Sequence, residues 1–279
     1  MVPVADGTGF ELTEWWYAHQ FSEGKLELLG GMWDIGRFYD LSPFSGPYPY
    51  RFLNSHMFFN SVLLPYAPYN ILGAMAIYKP NPGITVTTSI NDPNSSATDV
   101  DWFGEGDFDV MHEWRFMAKP FGKLAMFSVG GVYRNNDQAT LADSTEYKSP
   151  DWALWGNYNQ LLYQNPENPH QAIGLFGRVG VTDGEINLIR NHFSLGVSFD
   201  GMVPRRPKDI IGLVGWYNRF SNDLPETTSG SSSGFEAYYN FHVAPWLQLS
   251  VDAQYLIEPG LVPGSEDTVV LGLRALILL

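Results

Sequence analysis

The side chains with chemistry to offer are not gathered in a compact motif but recur at every second position of apolar segments. Glu113 and Arg115 flank Trp114, and Trp155, Asn157 and Asn159 alternate with Gly156 and Tyr158. Arg178 shares a parity with Gly174, Phe176 and Gly180, and Arg190 with His192, Ser194 and Ser198. Glu236 goes with Tyr238, Asn240 and His242, and Asp252 with Gln248, Ser250 and Gln254. Residues at period two share one face of a strand. A face of guanidinium, carboxylate and amide groups can exchange hydrogen bonds with hydroxylated solutes without covalent chemistry. Arg37 and Arg51 stand apart, in a turn-rich segment, 35–68, that also holds Asn54, His56 and many aromatics.

Catalytic signatures are missing. The six histidines show no H-x-x-x-H or H-E-x-x-H spacing for zinc, and there is neither a G-x-S-x-G elbow nor a P-loop. The absence of cysteine removes thiolate metal sites and disulfides. Asp99, Asp101, Glu105, Asp107 and Asp109 lack EF-hand spacing and read as a solvated acidic loop. A carboxylate pair for glycoside hydrolysis is defined by distance in space, which sequence does not give. The expectation is no catalytic residue, no metal and no cofactor.

The elements that must position these residues follow from the alternation itself. Phe235, Ala237, Tyr239, Phe241 and Val243 oppose Glu236, Tyr238, Asn240 and His242; after Ala244-Pro245 the pattern resumes from Leu247 to Ile257. An amphipathic helix loses such parity within two turns, so this is a hairpin. The same reading gives about 13 strands of membrane-spanning length, over 10–21, 25–34, 69–79, 83–91, 107–119, 122–134, 151–164, 169–182, 187–200, 208–220, 233–244, 246–258 and 267–279. Ile189 is expected on the apolar face of its strand and Arg190 on the polar one. Short connections such as SEGK, KPNPG and KPFGK alternate with long ones at 35–68, 92–106, 135–150 and 221–232, as in transmembrane barrels.

Composition agrees. Charged residues make up 16% of the chain, against about 25% in an average soluble domain. Aromatics reach 15%, a surplus suited to bilayer interfaces, where Trp15, Trp16 and Trp33 are expected. No apolar run is long enough for a membrane-crossing helix. The net charge of −14 argues against nucleic acid. The expected fold is therefore an all-β, transmembrane, antiparallel up-and-down barrel, a single domain over 1–279 with outer-membrane lipid as partner; residues 35–68 form a long extracellular or inward-folded loop. If the short turns are periplasmic, the last strand ends there and the first runs toward it. Single-chain bacterial barrels have an even strand number, so an odd number of strands is expected to precede the first one, consistent with the absence of a signal peptide.

The block FEAYYNFHVAPWLQLSVDAQYLIEPG, followed by DTVVLGLRA, resembles the carbohydrate-selective porin (OprB-like) family, with weaker echoes in LELLGGMWD, RFLNSHMFFN and YNILGAMAIYKPNPG. The resemblance implies a 16-stranded outer-membrane barrel that passes sugars by diffusion and is narrowed by an inward-folded loop, for which 35–68 is the candidate. The ending Leu-Ile-Leu-Leu departs from the aromatic C-terminus of many such barrels. The residues expected to line the solute path are Arg37, Arg51, Glu113, Arg115, Trp155, Asn157, Arg178, Arg190, Glu236 and Asp252, although an arginine facing a glutamate also serves simply as wall. Two rivals are a plugged structural or binding barrel without conductance and a soluble all-β carbohydrate-active protein. The sequence admits a homo-oligomer without requiring one.

Overall fold

Strands that alternate apolar and polar residues over seven to fourteen positions bury one face only when the other meets a different medium, and the architecture follows from that. A computed structural model describes residues 13–46, 50–66, 70–95, 103–225, 228, 230–259 and 264–278. Strands β1 (Trp15–Phe21), β2 (Leu26–Trp33), β3 (Ile71–Asn81), β4 (Ile84–Asp92), β5 (Asp109–Ala118) and β6 (Ala125–Arg134) pair in chain order. A short hairpin of β7 (Gln138–Ala139) and β8 (Tyr147–Lys148) stands apart within a long connection. The main sheet continues through β9 (Asp151–Gln164), β10 (Ala172–Thr182), β11 (Ile189–Asp200), β12 (Ile210–Phe220), β13 (Ser231–Ala244), β14 (Leu247–Ile257) and β15 (Thr268–Ile277). The result is a 13-stranded antiparallel meander in which every strand pairs with its neighbours along the chain, the short hairpin aside. The predicted strands are all present, with ends shifted by a few residues. Asp99 and Asp101 lie outside the described residues.

The two faces are inverted relative to a water-soluble protein. Outward positions carry Phe235, Leu271 and Leu273, exposed at 59%, 78% and 86%. Inward positions of the same region carry Ser194, Ser198 and Asn218, each fully buried. Exposed contiguous apolar surface on this scale is stable only against lipid. No helix of the described residues is long and apolar enough to cross a membrane.

What buries the inner face is the connection between β2 and β3. It opens with a short 3-10 turn (Ile35–Arg37) and contains α1 (Ser55–Phe58) and a 3-10 segment (Ser61–Tyr66), none of which alternation announces. Its apolar side chains form two clusters with the wall. Ile35, Tyr39, Val62, Leu63 and Tyr66 pack with Leu29, Met75, Met111, Val132 and Trp155. Phe52 and Met57 pack with Phe176, Val214, Trp216 and Tyr238. Trp33, expected at a bilayer interface, is instead fully buried in the first cluster, edge-on to Phe38 at 6.3 Å. It faces inward because it shares a parity with Leu29.

Inward glycines make room for this segment. A Cβ at Gly180 would lie 2.5 Å from Val62 Cγ2 and 2.7 Å from Asn60 Oδ1, and one at Gly174 would overlap the Phe44 ring. The outer face has the opposite requirement. Leu213→Arg places a charge on the apolar wall and is expected to cost about 2–4 kcal/mol near the bilayer midplane. Urea titration of folding into lipid vesicles reads this directly, and an unchanged midpoint would contradict the assignment of faces.

Candidate functional site

Asp40 is the centre of the arrangement. It has φ 52, in the left-handed region that aspartate tolerates better than most residues. This conformation turns both its backbone and its carboxylate toward the wall. Its N–H donates to Glu113 Oε2 at 2.8 Å. Oδ2 accepts from Arg178 Nε at 2.6 Å and from the Asn60 N–H at 2.8 Å. Oδ1 accepts from Asn157 Nδ2 at 3.0 Å, and the same amide donates to the Asp40 and Leu41 carbonyls. Arg178 also donates to the Met57 carbonyl at 2.6 Å, so one guanidinium ties two distant parts of the loop. Burial pushes the Asp40 carboxyl upward, and the adjacent guanidinium acts against that. An ion pair this deep holds because further hydrogen bonds fill its remaining lone pairs and donors.

Around this centre lie further anchors. Glu113 accepts from Trp155 Nε1 at 2.9 Å and from Arg115 at 2.7 Å, while Arg115 also donates to the Phe38 carbonyl at 2.9 Å. Arg51 forks onto Asp200 at 2.9 and 3.2 Å and donates to Ser198 Oγ at 2.6 Å. The fork geometry makes this a bidentate pair. Glu236 accepts the backbone N–H groups of Leu53 and Asn54 at 2.5 and 3.1 Å. Asp252 is buried beside it and accepts from Gln254 at 3.1 Å.

A fourth contact runs through histidines. His192 Nδ1 lies 2.8 Å from the acceptor Asn218 Oδ1 and so carries the proton. Ser61 Oγ lies 3.0 Å from that nitrogen and 2.7 Å from His56 Nδ1, which leaves the hydroxyl to donate to His56. Burial pushes the His56 imidazole down to about 4.

The structure thus brings eight of the ten expected residues to the inner wall: Arg51, Glu113, Arg115, Trp155, Asn157, Arg178, Glu236 and Asp252. All eight belong to the loop, touch it or brace a residue that does; Asp252 does so through Gln254, whose Oε1 accepts from Asn54 Nδ2 at 3.1 Å. The other two are elsewhere. Arg37 is exposed and pairs with Glu14 at 2.7 Å. Arg190 is exposed because β11 carries a bulge: Ile189 pairs with Phe220 and Asn191 with Arg219, leaving Arg190 outside the ladder. The extra residue reverses parity, so Ile189 packs inward on the first cluster, contrary to its expected face. Asp40, the hub, is not among the residues that strand parity singles out. Its signal would have been an acidic residue in an otherwise apolar stretch, with three polar wall residues unpartnered on facing strands.

A strand meander with lipid-compatible outer face, hydrogen-bonding inner face and an infolded connection defines a transmembrane β-barrel of porin type. Residues 2–278 match the family model of the carbohydrate-selective porins, OprB family, and the chain belongs to that family, whose members reside in the bacterial outer membrane. It is 26% identical over 140 residues to Porin B of Pseudomonas aeruginosa, a stretch covering 43% of this chain and 31% of Porin B. It is 25% identical over 138 residues to Porin AaxA of Chlamydia trachomatis serovar D, covering 43% of this chain and 30% of that porin. These matches span about a third of each curated relative. Among solved structures, the high-pH structure of Pseudomonas putida OprB shares the fold with a TM-score of 0.83 at 19% identity, covering 97% of this chain and 74% of that one. Pseudomonas aeruginosa OccK11 superposes with a TM-score of 0.51 at 10% identity, covering 91% of this chain and 67% of that one.

Two outcomes follow for the docked loop. Asp40→Asn leaves Arg178 buried without its counter-charge, which weakens docking by about 3–5 kcal/mol; limited proteolysis between residues 50 and 60 should become faster, and unchanged protection would remove Asp40 from its central role. The histidine contact has a definite sign. The docked imidazole of His56 stays neutral while the released one titrates near its ordinary value, so docking is undiminished above pH ~6.5 and weakens as the pH falls toward ~4, by on the order of 3 kcal/mol. His56→Gln should flatten that dependence in the same proteolysis assay.

Proposed function

We propose that the chain forms the wall and constriction of an outer-membrane porin through which carbohydrates and other small polar solutes diffuse passively. The observation that carries this reading is the β2–β3 connection, held on the inner wall by charged anchors while the outer wall stays apolar. In this reading the short turns face the periplasm and the long connections face outward. Glu113, Arg115, Trp155, Asn157, Arg178 and Glu236 act by positioning the loop, and thereby set the width left for solute. Arg51 does the same near the short-turn end. Arg37 and Arg190, exposed toward the long-connection end, are placed to contact entering solute, and Asp252 belongs to the polar wall beside Glu236. Transport needs weak, reversible contacts rather than tight binding, and it needs neither a cofactor nor a catalytic group.

Planar-bilayer recording of the reconstituted chain tests this. Stable single-channel steps that millimolar sugar partly blocks are expected. Gly180→Val, whose added methyl groups take the space of Val62, should dislodge the loop and raise conductance. Arg190→Ala should weaken sugar block without changing loop protection from protease. Absence of any conductance would favour a plugged barrel, and a chain that stays monodisperse without detergent would favour the soluble reading.

A further inference from the structure

Two of the short turns place a left-handed residue ahead of a glycine and fill that position with different side chains. Their backbones differ on either side of it: Ser22 also has φ 52 where the second turn has Pro120. Between β1 and β2, Glu23 has φ 58 and ψ 36 and is followed by Gly24 at φ 83 and then Lys25. Between β5 and β6, Phe121 has φ 55 and ψ 26 and is followed by Gly122 at φ 73 and then Lys123. The left-handed position before the glycine therefore does not need an aromatic residue. Left-handed geometry suits glycine, asparagine and aspartate far better than phenylalanine. Yet Phe121 occupies it with its side chain 98% exposed. An apolar ring held in a strained turn and left in the open points to a use outside the fold.

Its surroundings indicate the use. Lys119 and Lys123 flank the turn, and both are exposed. On the outer face directly above, Trp114, Phe116 and Phe127 stack in a column, with ring centroids 6.1 and 4.9 Å apart. Phe121 lies one turn beyond the end of that column. The charge distribution is as informative. In a chain of net charge −14, Lys25, Lys79, Lys119, Lys123, Arg205 and Lys208 are all exposed at the short-turn end. Among the described residues the exposed acids at that end are Glu23 and Glu167, fewer than the basic residues, whereas Glu105, Asp107, Asp137 and Asp143 lie at the long-connection end.

We propose that the short-turn rim binds anionic phospholipid headgroups, with Phe121 inserted at the headgroup boundary and Lys119 and Lys123 on the phosphates. Aromatic rings are at home at that depth, and basic residues close to an anionic surface enrich acidic lipids around them. The inference rests on the membrane placement proposed above, and its test separates the two.

Because the chain has no cysteine, Phe121→Cys, Glu23→Cys and Leu213→Cys can each carry one environment-sensitive fluorophore in the full chain. The labelled proteins are reconstituted in phosphatidylcholine vesicles containing phosphatidylglycerol. The probe at 121 is expected to be blue-shifted and quenched by headgroup-level nitroxide lipids. That at 23 should sit in water, and that at 213 should be quenched by mid-chain nitroxides. A nitroxide carried on phosphatidylglycerol should compete at 121 better than one on phosphatidylcholine by about fivefold per lysine. Lys119→Ala with Lys123→Ala should abolish that preference. A water-exposed, unquenched probe at 121 beside a quenched one at 213 overturns the rim assignment alone, as does equal quenching by both lipids. An unquenched probe at 213 overturns the membrane placement itself.

Discussion

The pairing of Asp40 with Arg178 sets the terms for everything inside the wall. Neither charge has water to fall back on, so each depends on the other and on the groups that complete their coordination. Arg178 arrives from the middle of β10, fixed by its ladder with β9 and β11. Asp40 arrives from a segment with no ladder at all. The wall is therefore the rigid partner and the loop the adaptable one. The left-handed backbone at Asp40, the amide of Asn157 and the carboxylate of Glu113 all serve the requirement that this one pair be satisfied completely.

Packing and polarity divide the work. The apolar clusters on either side of the pair supply the non-directional part of the attachment, since Val62, Leu63 and Phe52 are fully buried. The polar anchors supply direction, because each admits a narrow range of distance and angle. The glycines at 174 and 180 join the two: without them the backbone of the wall could not come close enough for Asn60 to donate to the Val179 carbonyl at 2.9 Å. A wall of larger residues would hold the loop away and leave its carbonyls unpaired.

The sheet was legible because alternation is written locally. Each strand states its parity within a few residues, and the apolar outer set from Phe235 to Leu273 could be read without knowledge of its neighbours. The identity of most inward polar residues followed from the same parity. Their role did not, because it depends on a partner far along the chain: nothing near Arg178 says that Asp40 will meet it, and nothing near Glu236 points to the N–H groups of Leu53 and Asn54. Parity also failed where geometry broke it. The bulge at Arg190 reverses the pattern by one residue, and Trp33, interfacial by residue type, is turned inward by its parity in β2.

Ladder contacts across the short turns span few residues, but the loop reaches across the whole sheet. The Arg274 guanidinium donates to the Arg51 carbonyl at 2.6 Å, joining positions 223 apart. Hairpins can therefore zip early and independently, whereas the loop finds its seat only after β15 has been laid down. Closing so long a span is slow relative to forming any hairpin. Assembly thus has a natural order, with the wall first and its cross-brace last, and the lumen keeps its full width until the final step.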